Sequence, residues 1–147
     1  MFDYIIVGGG SAGCVLASRL SEDPHTRVAL LEAGPADSSV LIHCPAGLAL
    51  LAKNGQANWG LQTVPQPGLN GRRGYQPRGK VLGGSSSVNA MIYARGHASD
   101  YDGWAAQGNP GWSFNEVLPY FKRAEHNERG ADAWHGQGGP LNVMDLR

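Results

Sequence analysis

The chain has little of what marks several broad protein classes. Cysteine is scarce: of 147 residues only Cys14 and Cys44 are cysteines, far apart in sequence. That excludes a disulfide scaffold and reads as two free thiols, Cys14 as a small packed residue. Net charge is zero, from 12 Lys+Arg against 12 Asp+Glu, and no run of five basic residues occurs. Nucleic acid is therefore not expected as a partner. No apolar run approaches the ~18 residues of a membrane span, so no transmembrane segment is expected. Met1 and Phe2 lead straight into the first apolar run, without the basic and apolar regions of a secretory signal. The expected compartment is the cytoplasm, and peripheral attachment to the inner membrane would leave no trace of this kind. The histidines at 25, 43, 97, 126 and 135 show no ligand spacing with the cysteines, and no metal is assigned.

Glycine, by contrast, is abundant, with 22 residues, and its placement carries the information. Residues 3–13 read Asp-Tyr-Ile-Ile-Val-Gly-Gly-Gly-Ser-Ala-Gly. Tyr4, Ile5, Ile6 and Val7 form a short β-branched run that suits a strand buried on both faces of a parallel sheet. Gly8, Gly10 and Gly13 then give G-x-G-x-x-G where a strand should turn into a helix. Gly8 allows the tight reversal, Gly10 the approach of a pyrophosphate, and Gly13 close packing of helix on strand. A helix is expected from residue 11 to about 20, with Ala12, Val15, Leu16 and Leu20 at helical spacing and its first amides, at Ser11 and Ala12, turned to the phosphates. A second apolar run, 28–31, ends at Glu32, nineteen positions beyond Gly13. A carboxylate at that point can hold an adenosine ribose.

Two other chemistries fit parts of the same residues. A Rossmann unit of this kind can bind NAD, which leaves an NAD-dependent dehydrogenase as an alternative. Gly9-Gly10-Ser11-Ala12-Gly13 is also G-x-S-x-G, the nucleophile elbow of a Ser hydrolase. That architecture places its oxyanion-hole loop on an earlier strand-to-helix connection, and only seven residues precede Gly8. Ser11 is therefore better read as a helix start facing phosphate.

After Glu32, Ala33-Gly34-Pro35 breaks the strand and the composition loosens as far as Pro45. Residues 46–52 predict a short helix stopped near Asn54 and Gly55, and residues 59–64 a strand ended by Pro65 and Pro67. Residues 65–79, rich in Gly, Pro and Arg, read as an extended loop. Within it, Gly74 to Lys80 spells G-x-x-x-x-G-K, but Val81 stands where a P-loop needs Ser or Thr to hold Mg²⁺. The next stretch, 78–93, pairs Gly83-Gly84 with Ser85-Ser86-Ser87 before Val88-Asn89-Ala90-Met91-Ile92-Tyr93. Such a sequence exposes backbone amides and hydroxyls suited to an anion or an electron-rich ring.

Taken together, the N-terminal fingerprint, Glu32-Ala33-Gly34, Asn58-Trp59, the 79–89 stretch and the segment from Arg95-Gly96 to Trp104 resemble the glucose-methanol-choline (GMC) oxidoreductases. These are FAD-dependent alcohol dehydrogenases and oxidases, and the branch this chain resembles is that of choline dehydrogenase-like alcohol dehydrogenases. The resemblance implies an α/β, Rossmann-like FAD-binding fold, present as its N-terminal part, with an extended loop and helices. It implies that Gly8, Gly10, Ser11, Ala12 and Gly13 hold the FAD pyrophosphate. Glu32 would take the adenosine ribose, with Ala33 beside it, and Val81 would lie by the adenine. Gly83, Gly84 and Ser85 would line the cofactor path, while Asn89, Ala90, Met91 and Ile92 would reach the isoalloxazine. The implied chemistry is hydride transfer from an alcohol carbon to flavin N5, with oxygen or a quinone-type carrier as final acceptor. Some members carry, just before the Asn, a His that links covalently to the flavin. Val88 stands there in this chain, so non-covalent FAD is expected.

In the last third, Ser99-Asp100-Tyr101-Asp102 predicts a capped helix start with Gly108 as its stop, and Ser113-Phe114-Asn115-Glu116 a capping box. Phe114, Val117, Leu118 and Phe121 recur at i, i+3, i+4 and i+7, an inward face, with Pro119 inside the pattern. Residues 127–139 read as a polar loop. His135 within it has no visible partner to orient it, so it is not named a base. Residues 141–143 predict a strand. The expected division is 1–140 as the FAD-binding portion and 141–147 as the start of a following segment. The resemblance implies a protein several times longer, whose catalytic His and its partner lie beyond residue 147, so no catalytic residue is named. Alone, the chain is expected to bind FAD poorly and to turn nothing over.

Overall fold

The computed structural model describes residues 1–145, which fall into two compact units, Met1–Ile92 and a second beginning at Tyr93. In the first, strand β1 (Tyr4–Val7) leads through helix α1 (Ser11–Leu20) to strand β2 (Val28–Leu31). The strands pair in parallel with Tyr4 opposite Val28 and Val7 opposite Leu31. This is the βαβ unit the apolar runs predict, and α1 has the expected bounds. Burial differs from expectation. Ile5 is 63% and Val7 83% exposed, and Val15 and Leu16 on α1 are 60% and 53% exposed. Among the described residues the sheet consists of β1 and β2 alone, with α1 packed against both strands, so each strand keeps an unpaired edge and the surface that α1 leaves is open.

A short helix α2 (Val40–His43) occupies part of the stretch read as loose chain. Its start is fixed by the Ser39 hydroxyl, which accepts a hydrogen bond from the Leu41 amide. Helix α3 (Gly47–Asn54) follows and stops at Gly55, whose φ of +68° makes it a left-handed cap, as the sequence predicts. The expected strand at 59–64 shrinks to β3 (Leu61–Gln62), paired antiparallel with β4 (Tyr75–Gln76). Asn58 accounts for the late start. Its Oδ1 accepts from the Gly60 and Arg78 amides and its Nδ2 donates to the Tyr75 hydroxyl at 2.7 Å, so side-chain bonds flank what remains of the ladder there, an isolated antiparallel bridge between Asn58 and Gly79. The segment 65–79 is accordingly a hairpin arm with a 3₁₀ turn at Pro67–Leu69, not an extended loop.

In the second unit, α4 (Ala98–Ala106) is capped two residues earlier than predicted. His97 is the cap: its Nδ1 accepts from the Ser99 amide, and Asp100 returns a carboxylate to the His97 amide at 2.9 Å. A ring nitrogen serves as the acceptor that the usual Ser, Thr, Asp or Asn supplies. Gly108, with φ +95°, follows the helix as expected. Helix α5 (Phe114–Ala124) starts at Ser113, whose amide and hydroxyl both donate to Glu116, and runs on through Pro119. Phe114, Val117, Leu118 and Phe121 are half-buried while Glu116 and Tyr120 are exposed, the periodic face the sequence predicts. Tyr101 of α4 fills the space between Phe114 and Phe121, 5.8 Å from each ring. The predicted strand β6 (Leu141–Val143) pairs in parallel with β5 (Glu125–Asn127), which lies partly in the expected polar loop.

Candidate functional site

The glycine turn after β1 divides its tasks as the spacing implies. Gly8 has φ +100° and its amide donates to Leu31 O, which binds the turn to the end of β2. A Cβ on Gly13 would lie 1.9 Å from Gly8 O, so only glycine lets α1 approach the turn. A Cβ on Gly10 would meet nothing within 4 Å, which leaves its face open to an approaching ligand. Among the described residues no side chain caps α1, so the amides of its first turn, from Ser11 to Gly13, are on offer at the positive end of the helix dipole.

Glu32 closes this turn from the other side. Its Oε2 accepts from the Gly9 amide and its Oε1 from the Gly34 amide, both at 2.8 Å. The Gly34 amide first, then that of Gly9, hold the carboxyl below its ordinary pKa. Each oxygen keeps a second lone pair, enough for a ribose diol. Ala33 follows it, exposed.

The second glycine stretch is joined directly to the first. Gly83 N donates to Gly9 O at 2.6 Å, Gly10 and Gly83 form a parallel bridge, and Leu82 N donates to Pro35 O. A Cβ on Gly84 would sit 2.9 Å from Gly10 Cα, and one on Gly34 would fall 2.2 Å from the Lys80 carbonyl. Val81 between them is fully buried. A 3₁₀ turn, Gly84–Ser87, packs against α1, and Ser85 Oγ accepts from the Gly79 amide. Gly8, Gly10, Ser11, Ala12, Gly13, Glu32, Ala33, Gly83, Gly84 and Ser85 therefore belong to one connected surface region, with Val81 buried beneath it. Asn89, Ala90, Met91 and Ile92 lie further along the chain, exposed, and make no hydrogen bond to that surface among the described residues. Asn89 and Met91 instead border a cavity of about 150 Å³ whose other wall includes His43, Cys44 and Leu48.

The second unit holds a cluster that the sequence does not advertise. Glu125, fully buried, accepts from Arg95 Nη2 at 2.5 Å, Asn127 Nδ2 at 2.9 Å and the Gly136 amide at 3.1 Å. His135 Nδ1 lies 2.9 Å from its Oε1, so the histidine left without a partner on sequence grounds does have one. Burial pushes the Glu125 carboxyl up, but the hydrogen bonds from Asn127, His135 and Gly136 and the Arg95 charge outweigh it and hold it below the ordinary range. The cluster ties the segment after Tyr93 to β5 and to the loop before β6. Glu125 stands in the polar run Glu-His-Asn-Glu-Arg, where nothing in the spacing marks one acid as interior.

A βαβ unit whose first turn is open at the middle glycine, with an acid at the tip of the second strand, defines a dinucleotide-binding protein. The residues fit a two-part cofactor: free helix amides for a diphosphate, a carboxylate for a ribose, and a glycine-rich second wall bonded to the first. The model of the GMC oxidoreductase family matches residues 2–146, and the chain belongs to that family. The chain is 55% identical to an alcohol dehydrogenase [acceptor] of Pseudomonas putida over 148 residues, which is 100% of this chain and 27% of that protein. It is 52% identical to the mitochondrial choline dehydrogenase of Homo sapiens over 149 residues, 97% of this chain and 25% of that one. Among solved structures, pyridoxine 4-oxidase from Mesorbium loti superposes with a TM-score of 0.89 at 44% identity, over 97% of this chain and 28% of that one. The chain thus spans about a quarter of the length of the curated relatives it matches.

Proposed function

We propose that this chain is the FAD-binding portion of an oxidoreductase that takes a hydride from the CH–OH group of an alcohol. The observation that carries the reading is the bridge between Gly10 and Gly83, because it makes one cofactor cradle of two segments distant in sequence. Gly8, Gly10, Ser11, Ala12 and Gly13 hold the diphosphate, Glu32 with Ala33 the ribose, and Val81 backs the adenine side. Gly83, Gly84 and Ser85 form the facing wall, and the exposed turn at Asn89, Ala90, Met91 and Ile92 borders the ring. When bound, FAD supplies a two-electron acceptor at its ring, and backbone donors of this chain favour its anionic reduced form. Val88 offers no nucleophile, so the cofactor is held without a covalent bond.

Residues 1–140 form the cofactor portion and 141–147 open the next segment, in a longer protein that contributes the catalytic base. The substrate is an alcohol and the final acceptor oxygen or a quinone-type carrier, and the compartment is the cytoplasm or the inner face of its membrane. No helix among the described residues is long and apolar enough to cross a membrane. The test is the visible spectrum of the full-length protein, followed by anaerobic addition of primary alcohols. Flavin bands that bleach with an alcohol support the reading, and a colourless protein that binds NAD overturns it.

A further inference from the structure

Asn89 is implied to touch the flavin ring, but its side chain is already committed. Its Oδ1 accepts a hydrogen bond from the Met91 amide at 2.8 Å. Met91 itself has φ +56°, a left-handed backbone that any residue with a Cβ adopts at a cost. The two facts belong together: an Asn oxygen that captures the amide two residues on closes a tight turn and offsets that cost. The turn follows the 3₁₀ segment Gly84–Ser87 and has no strand or helix of its own to hold it.

The consequence concerns which group is left for a ligand. With the Met91 amide spent on Asn89, the amide inside the turn that remains is that of Ala90, and among the described residues nothing accepts a hydrogen bond from it. Ala90 is exposed, so water or a ligand can reach that donor. We infer that Asn89 is a positioning residue, not a ring contact: it locks Met91 in the left-handed conformation so that the free Ala90 amide is presented to the electron-rich edge of the flavin. This rests on the proposed FAD reading. A preset amide favours negative charge on the ring without reorganisation during reaction.

The experiment uses the flavin-loaded full-length protein and reads sulfite affinity from the flavin absorbance, since sulfite adds only to rings whose negative charge is stabilised. Asn89→Ala is expected to weaken sulfite binding about tenfold, the scale of one hydrogen bond to a charged group. Met91→Gly removes the left-handed penalty, so the double variant Asn89→Ala/Met91→Gly is expected to return to within about twofold of the parent. A glycine that merely loosened the loop would worsen the defect, so rescue separates positioning from general support. If Asn89→Ala holds no flavin, flavin retention by the double variant answers the same question. Unchanged sulfite affinity in Asn89→Ala, or no rescue in the double variant, overturns the inference and leaves the FAD reading standing. A parent protein without flavin overturns both.

Discussion

Glu32 Oε2 accepts a hydrogen bond from the Gly9 amide at 2.8 Å, so the acid that ends β2 holds the glycine turn that follows β1. The same carboxylate takes the Gly34 amide with its other oxygen. It is at once a support for the turn and a candidate ribose ligand. Glu32→Gln is expected to weaken FAD binding by about tenfold, because one amide loses an anionic acceptor and faces an NH₂ group. Fluorescence titration of the full-length apoprotein with FAD measures this. The carboxyl is held below its ordinary value of 4.5 by the Gly34 and Gly9 amides. The contribution is therefore complete above that pH and is lost as the pH falls through the depressed value. The stabilisation that this carboxylate gives the folded turn should begin to fade below about pH 4.5 in the parent, an acid limb absent from the unfolding profile of the Gln variant.

Two glycines separate folding from binding. Gly34→Ala puts a methyl group 2.2 Å from the Lys80 backbone, which cannot retreat as a flexible side chain would. A loss of at least about 2 kcal/mol in unfolding free energy is expected. Gly10 has an ordinary extended backbone, φ −79° and ψ −172°, and open space at its Cβ. Gly10→Ala should leave the melting temperature of the apoprotein unchanged while sharply lowering FAD affinity. Calorimetry and FAD titration on the two variants check the contrast.

The buried acid of the second unit should behave as structure. Glu125→Ala strands the Arg95 guanidinium, whose side chain is 12% exposed, and is expected to cost about 3–5 kcal/mol. Denaturant unfolding reads this. Burial raises the Glu125 pKa, and the Asn127, His135 and Gly136 hydrogen bonds with the Arg95 charge more than reverse it. A depressed folded value means that this stabilisation is present above the ordinary carboxylate range and fades as the pH drops below it. The unfolding midpoint of the Ala variant should lose that acid limb.

Val88 predicts how the cofactor leaves. With no histidine at that position, acid precipitation of the loaded protein should carry all flavin colour into the supernatant. Colour retained in the pellet would mark a covalent link made elsewhere.

The βαβ unit was legible because its signals are local: β-branched runs, glycines at fixed offsets and an acid at the strand tip. The α5 face was legible for the same reason, through the period of Phe114, Val117, Leu118 and Phe121. What escaped depends on partners distant in the chain. Nothing local marks Glu125 as the interior acid, since its burial comes from Arg95 and Gly136. The cap of α4 at His97 uses a ring nitrogen as acceptor, outside the usual cap residues. The exposure of β1 and α1 also departs from the pattern, because an apolar run states a preference for cover and not whether cover is at hand.

The central claim is that one groove, from the first turn of α1 to the turn at Asn89, holds a single flavin dinucleotide. Its most direct test is a crystal structure of the full-length protein with FAD. The account predicts diphosphate oxygens within hydrogen-bond distance of the α1 first-turn amides, with the isoalloxazine against residues 89–92. A diphosphate bound elsewhere, or a ring that contacts none of those residues, would contradict it.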